Sequence, residues 1–238
     1  MKVKLLAHTP EPEKVVAIAA RLCYSNKADI DTIAEGFTPE EIEKFVSGLI
    51  ETGHKSTLEH VSFTFGIEGI SRVVSHELVR HRLASFSQRS QRYCAEGECN
   101  FIYPNGYKVT EKAEDIFESS VANSRDEYKD LLGQGVTKEI ARYVLPNATE
   151  TRIIVTMNAR ELLHFFALRT CQRAQPEMRD MASAMLREVT QAAPILFKNA
   201  GASCVQLGYC PEGNRCCGRA PTLSKLKEAY DRQIIKNS

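Results

Sequence analysis

The strongest constraint on the fold lies between residues 61 and 81, where the hydrophobic period changes. Val61, Phe63, Phe65 and Ile67 alternate with Ser62, Thr64, Gly66 and Glu68, a period of two that predicts a half-buried strand. Ile70, Val73, Val74, Glu77 and His81 then fall at i, i+3, i+4, i+7 and i+11, which predicts a helix carrying the chain into Arg80-His81-Arg82. Strand and helix in immediate succession point to a mixed fold.

Other segments extend that reading. Thr38-Pro39-Glu40-Glu41 is a capping box with proline at the first helical position. Ile42, Phe45, Val46, Leu49 and Ile50 follow at helical spacing and Gly53 closes the helix, so residues 39–52 are assigned to it. An earlier amphipathic helix is expected over 12–23, with the polar residues 25–31 as a connection. Residues 84–91 are rich in serine and glutamine and read as a loop, because serine side chains compete for backbone groups. A long helix is expected from about 111 to 132, ending at Gly133 and Gly135, and a short one from Thr137 to Leu145-Pro146. Residues 151–157 form the second strand. Asn158-Ala159-Arg160-Glu161 then caps a helix carrying Leu162, Phe165 and Phe166, Pro176 interrupts it, and a further helix runs through Met178, Met181, Met185 and Val189.

No repeat, low-complexity tract or linker divides the 238 residues. The expected fold class is α+β: one mixed domain over 1–238, with a small antiparallel sheet, several long helices and a cysteine-rich C-terminal segment at about 201–219. A hydrophobic content of 43% with 26% charged residues excludes general disorder. The apolar stretch Leu5 to Ala7 is too short for a signal-peptide core and no run of 18 apolar residues occurs. A cytoplasmic protein with no membrane partner is therefore expected, its eight cysteines reduced.

With 31 basic and 30 acidic side chains the net charge is +1, which removes the whole-surface basic field of a non-specific nucleic-acid coat. Any anion site must be local. Between Leu78 and Ala95 there is no carboxylate, while Arg80, Arg82, Arg89 and Arg92 supply four fixed charges beside His81. Arginine forks suit phosphate, and serine hydroxyls add donors; a solvated basic surface is the competing reading. No glycine-rich phosphate loop is present. Arg169 stands seven residues after Leu162 and three after Phe166, where the helical pattern calls for an apolar side chain, so its guanidinium needs a structural carboxylate or a ligand oxygen as partner. Arg142, near the end of a short helix just before Leu145-Pro146, is a third clue to the anion site, with a surface charge as the competing reading. His54 and His60 match no zinc spacing, and His81 to Ser90 has neither a nucleophile elbow nor an orienting carboxylate.

Arg80-His81-Arg82 followed by Ser90-Gln91-Arg92-Tyr93 resembles the RHR…S signature of the flavin-dependent thymidylate synthases. Gly53-His54…Glu59-His60, Arg142…Leu145-Pro146, Thr156-Met157-Asn158-Ala159-Arg160 and Leu168-Arg169 occur in that family's order, so the resemblance spans about residues 50–200. It implies an enzyme that makes dTMP from dUMP, with 5,10-methylenetetrahydrofolate as carbon donor, FAD as hydride carrier and NADPH as reductant, in a homotetramer with shared active sites. By the same resemblance Arg169 is catalytic. Glu77, Leu78, Val79, Arg80, Gln88, Arg89, Ser90, Gln91, Arg92, Arg142 and Arg169 would bind dUMP. Ser56, Arg80, His81, Arg82, Gln88, Asn158, Ala159, Arg160 and His164 would hold the flavin, and His54 would border the folate entrance. Glu77, His164 and Arg173 depart from the family pattern.

A thiolate mechanism would need Cys94 or Cys171, but the Pro-Cys-His context of the folate-only synthases is absent and both read as packing residues. Cys204, Cys210, Cys216 and Cys217 lack a paired knuckle, so no metal is assigned. The alternative function is a nucleotide- or RNA-binding module using the basic segment 80–92, and an arginine-rich structural interface is a third.

Overall fold

The computed structural model describes residues 1–26, 29–103 and 109–227. Strands β1 (Lys2–His8), β2 (Ser62–Ser71), β3 (Ala84–Gln88) and β4 (Glu150–Asn158) form one antiparallel sheet in the spatial order β1-β2-β4-β3. The helices are α1 (Pro12–Tyr24), α2 (Ile30–Ala34), α3 (Pro39–Thr52), α4 (Arg72–Leu78), α5 (Glu111–Gly133), α6 (Lys138–Ala141), α7 (Ala159–Arg169), α8 (Pro176–Ala192), α9 (Pro194–Phe197) and α10 (Ser203–Leu207). The fold class is α+β, as the sequence implies. Among the described residues no helix is long and apolar enough to cross a membrane.

Alternation explains which face of the sheet is dry. Phe63, Phe65 and Ile67 of β2 and Ile153, Val155 and Met157 of β4 are buried in a core completed by Val16 and Ala20 of α1, Leu162 and Phe166 of α7, and Met181 and Met185 of α8. On the opposite face, which also carries the exposed Leu6 and Ile154, Thr64 and Thr156 are directly paired across β2 and β4 and share a hydroxyl hydrogen bond at 2.9 Å.

Local capping holds at the two places where the sequence is most explicit. Thr38 accepts from the Glu41 amide while the Glu41 carboxylate accepts from the Thr38 amide, and Gly53 closes α3 at φ 76° in the left-handed region. Asn158 accepts from the Glu161 amide at 2.8 Å and starts α7 directly from the end of β4. That junction sets Glu161 and, two turns later, Arg169.

Three expectations are corrected. The helix expected from Ile70 begins only at Arg72: a bulge between Glu68 and Ile70, with Gly69 at φ 72°, shifts the strand's register so that Ile70 still faces the core while Ser71 becomes the cap of α4. Residues 84–88 form β3 rather than a loop, because Ala84 and Phe86 pack against the core while Ser85 and Ser87 face solvent. The connection at 25–31 is shortened by α2, which takes Ile30 and Asp31; Lys27 and Ala28 lie outside the described residues. No strand is assigned from sequence ahead of α1, yet Lys2–His8 forms β1, an edge strand antiparallel to β2 with Val3 and Leu5 toward the core.

Candidate active site

At the C-terminal end of α7, Arg169 meets the segment that leaves α4. Its Nε donates to His81 Nε2 at 3.0 Å and its guanidinium donates to the Glu77 carboxylate at 3.1 Å. On the other side of the imidazole, His81 Nδ1 lies 3.1 Å from Glu161 Oε1. A nitrogen that accepts from arginine carries no proton, so His81 is the neutral Nδ1–H tautomer and donates to Glu161. Burial pushes the imidazole pKa down, and the Arg169 charge and His164 push it the same way, against the pull of Glu161. His81 and Glu161 are only 6% and 7% exposed. Phe165 packs edge-on to the ring at 4.9 Å. The result is a chain of contacts, Glu161 to His81 to Arg169 to Glu77, that leaves the guanidinium half-buried at the rim of a cavity of ≈ 320 Å³ also lined by Cys171 and Arg173.

The family departure at Glu77 thus has a partner in Arg169, and Arg173 forms an ion pair with Glu212. His164, one position before Phe165, is exposed and packs edge-on to His81 at 6.1 Å.

A second group surrounds the start of the segment after β3. Gln88 donates to Ser75 of α4 and Thr151 of β4 at 3.0 and 3.1 Å, which fixes the exit of the strand. Arg89 turns inward, donating to the Ala95 carbonyl at 3.2 Å and approaching the buried Glu96 at 3.5 Å. Ser90 accepts from the Arg92 amide at 3.2 Å, and Gln91 is buried. Arg92 pairs with the Glu139 carboxylate at 2.9 Å, while Arg142 donates to the Glu139 carbonyl at 3.1 Å. Glu139 therefore gathers two arginines that the family resemblance assigns to dUMP. Arg72, at the first position of α4, joins them electrostatically: burial lowers its pKa and Arg142 lowers it further.

Of the residues assigned to the flavin, Arg160 pairs with Glu59, Ala159 is buried and ties its amide to the Val61 carbonyl at 2.9 Å, and Ser56 opens the short 3-10 turn Ser56–His60. Arg80 and Arg82 are exposed, and their guanidiniums make no hydrogen bond or ion pair among the described residues. Leu78 and Val79 end α4, and the Leu78 carbonyl accepts from the His81 amide at 3.1 Å. A cavity of ≈ 340 Å³ takes in Leu83, the residue after Arg82, and is also lined by Lys55, Arg160, Glu161, His164 and Gln206. Free cations for a pyrophosphate and an exposed apolar side chain, Leu83, for a ring face fit a bound dinucleotide. Among the described residues no hydrogen bond or ion pair joins the Arg92–Arg142 group to the Arg169–His81 group.

Two residues were not anticipated from sequence. Glu161 reads there as a capping residue, and its role as the partner of a histidine eighty residues away has no local signal. Arg72 lies just outside the carboxylate-free stretch.

Residues 4–195 match the family model described as thymidylate synthase complementing protein, Thy1. The chain belongs to that family. Thy1-type relatives include a protein described as flavin-dependent thymidylate synthase from Geobacter sulfurreducens, 51% identical over 228 residues that cover 95% of this chain and 97% of that protein. A protein of the same description from Clostridium tetani is 46% identical over 242 residues, covering 95% and 96%. Among solved structures, the UMP/dUMP methylase PolB of Streptomyces cacaoi, bound with 5-Br dUMP, superposes with a TM-score of 0.70 at 26% identity, covering 83% of this chain and 93% of that one. Every residue of the two groups above falls inside the span matched to Thy1. Cys204, Cys210, Cys216 and Cys217 fall outside it.

Proposed function

We propose that this chain is a flavin-dependent thymidylate synthase that converts dUMP, 5,10-methylenetetrahydrofolate, NADPH and a proton to dTMP, tetrahydrofolate and NADP. The observation that carries the reading is the fixed guanidinium of Arg169, set between His81 and Glu77 at a cavity rim in a chain of this family. The relatives' names and the dUMP analogue bound to PolB support the substrate.

Carbon transfer requires uracil C5 to be electron-rich. Arg169 is a donor aimed before the reaction begins, so it stabilises charge that develops on the pyrimidine oxygens without reorganising. Glu161 and His81 act as positioning residues: the carboxylate fixes the tautomer, and the tautomer gives Arg169 Nε its acceptor. Arg92 and Arg142 hold the nucleotide phosphate, with Ser90 adding a hydroxyl donor. Arg80, Arg82, Asn158, Arg160 and His164 hold FAD, with Ser56 and Ala159 on the adjoining backbone. FAD, when bound, supplies a hydride carrier between NADPH and the transferred carbon.

Membership of this family supports a homotetramer with shared sites, in which one pocket draws its residues from different copies. The test is anaerobic dTMP formation from dUMP with FAD, NADPH and methylenetetrahydrofolate. Formation of dTMP supports the reading. A colourless protein that makes none and shifts RNA in a salt-dependent way replaces it with the nucleic-acid module.

A further inference from the structure

The cavity at Arg169 does not end there. Arg219, Gln172 and Ala202 line both it and a cleft of ≈ 680 Å³ on the outer side of α8, lined along that helix by Arg179, Ser183, Arg187 and Thr190, with the Arg179 guanidinium donating to the Gln172 carbonyl at 3.2 Å. Among the described residues no carboxylate lines this cleft. Arg215 and Arg173 stand on the inner side, and Glu212, already paired with Arg173, is the one carboxylate of the inner lining among the described residues. On the opposite side, Ala167 joins the Arg169 cavity to the one lined by Arg160 and His164. The three cavities adjoin in series.

The cations of this cleft resemble Arg80 and Arg82, which also lack an acid among the described residues, and differ from the paired arginines. Arg92 and Arg160 each hold a carboxylate, whereas the guanidiniums of Arg187, Arg215 and Arg219 make no hydrogen bond or ion pair among the described residues. In a chain with 30 acidic side chains and a net charge of +1, a row of arginines left without acids is a local field, and it favours an anion whose charges are spaced along its length. Arginine forks match carboxylates in pairs.

Resting on the proposed function, we infer that the cleft between Arg219 and Arg187 binds the glutamate end of the folate co-substrate and selects folates with an oligo-γ-glutamyl tail. The reacting head of that co-substrate has to meet the pyrimidine beside Arg169, and the cleft opens directly from that cavity. Each added glutamate brings one more carboxylate outward, past Arg219 toward Arg187 and Arg179. Arg215 and Arg219 lie beyond the residues matched to the family, while Arg179 and Arg187 lie within them, so the C-terminal segment completes the device.

The experiment compares mono- and pentaglutamyl folates on the full protein and on R187A/R219A, two exposed positions outside the residues assigned to dUMP and flavin. Binding is read by calorimetry with non-reacting mono- and pentaglutamyl folic acid, and turnover by the KM for the two methylenetetrahydrofolates. The wild type is expected to bind the pentaglutamate on the order of tenfold more tightly, an advantage that shrinks with added salt. The double variant should lose that advantage while keeping its melting temperature and its KM for the monoglutamate. Equal binding of the two tails by wild type overturns the inference, as does an advantage that survives in the double variant. So does a double variant that instead loses affinity for adenosine 2′,5′-bisphosphate, which would give the cleft to the phosphates of NADPH. Absence of dTMP formation in wild type with either folate counts against the proposed function, while arginine-dependent binding of the pentaglutamyl tail in calorimetry still supports the cleft.

Discussion

Arg169 Nε donates to His81 Nε2 at 3.0 Å, and that single hydrogen bond decides the protonation of a buried imidazole and the aim of a guanidinium together. With Nε spent on His81 and a terminal nitrogen on Glu77, the plane of the fork is set before any ligand arrives.

Replacing Arg169 by Lys keeps the charge and removes the plane. One ammonium reaches either His81 or Glu77, and its remaining direction is free. Loss of a well-aimed donor at a site of developing charge costs about 2.7–4 kcal/mol, so Arg169→Lys should form dTMP roughly a hundred- to a thousandfold more slowly. Turnover measured with a melting curve checks this. A folded variant with normal turnover leaves Arg169 as a structural partner of Glu77 only.

The tautomer of His81 gives a pH dependence with a definite sign. Its folded pKa lies below the ordinary value, chiefly through burial, so the unfolded chain takes up a proton near 6.5 while the folded one does not until lower pH. Between those two values the unfolded state binds more protons, and stability is lost as pH falls through that window. Protonation also fills Nε2 and removes the acceptor of Arg169, so dTMP formation should fall on the same acid limb. Glu161→Gln removes the charge that holds the pKa up and should move the His81 titration to lower pH, as followed by nitrogen-15 NMR of the ring. A titration unchanged in Glu161→Gln would falsify the carboxylate's role.

How much of this was legible in the sequence depends on the distance over which each signal acts. The caps at Thr38 and Asn158 are three-residue devices, and both stand as read. Arg169 was visible because a charge broke an apolar stripe, and its need for a partner is met by Glu77 and His81. Strand β3 was misread because its serines suggested turn chemistry, while the Ala84 and Phe86 alternation depends on pairing with β4, some seventy residues later. The Glu161–His81 contact spans 80 residues, and Glu161 already had a sufficient local reading as a cap residue. Similarly, the inward turn of Arg89 follows from a buried Glu96 beyond the segment being read, a carboxyl that burial pushes up in pKa despite its arginine neighbours.

The cysteines near the site offer a separate check. Cys171 lines the Arg169 cavity and Cys94 follows the phosphate segment, and both are partly buried free thiols. If carbon transfer needs no thiolate, replacing both with serine leaves dTMP formation of the same order as wild type, at a stability cost of about 1 kcal/mol for two altered packing positions. Loss of dTMP formation in a folded double variant that still binds dUMP would bring the thiolate mechanism back.

Arg92 and Glu139 make the last prediction, because one substitution weakens the phosphate site and the other strengthens it. Arg92 is held at 2.9 Å by Glu139, with the side chains of both half-exposed. A nucleotide phosphate has to compete with that carboxylate. Arg92→Ala removes a charge-assisted fork, a loss of about 1.5–3 kcal/mol, so dUMP binding should weaken roughly ten- to a hundredfold. Glu139→Gln removes only the competitor. An exposed pair of this kind is worth about 0.2–1 kcal/mol, so freeing Arg92 should tighten dUMP binding by up to about fivefold, while Arg142 keeps its bond to the Glu139 main-chain carbonyl. The gain should shrink in high salt, where the original pair is already screened. Calorimetry with dUMP at two salt concentrations reads both variants, and deoxyuridine, which lacks the phosphate, serves as the control. Its affinity should be the same in wild type, Arg92→Ala and Glu139→Gln. If deoxyuridine weakens together with dUMP in Arg92→Ala, the arginine contacts the nucleoside and the phosphate is held elsewhere.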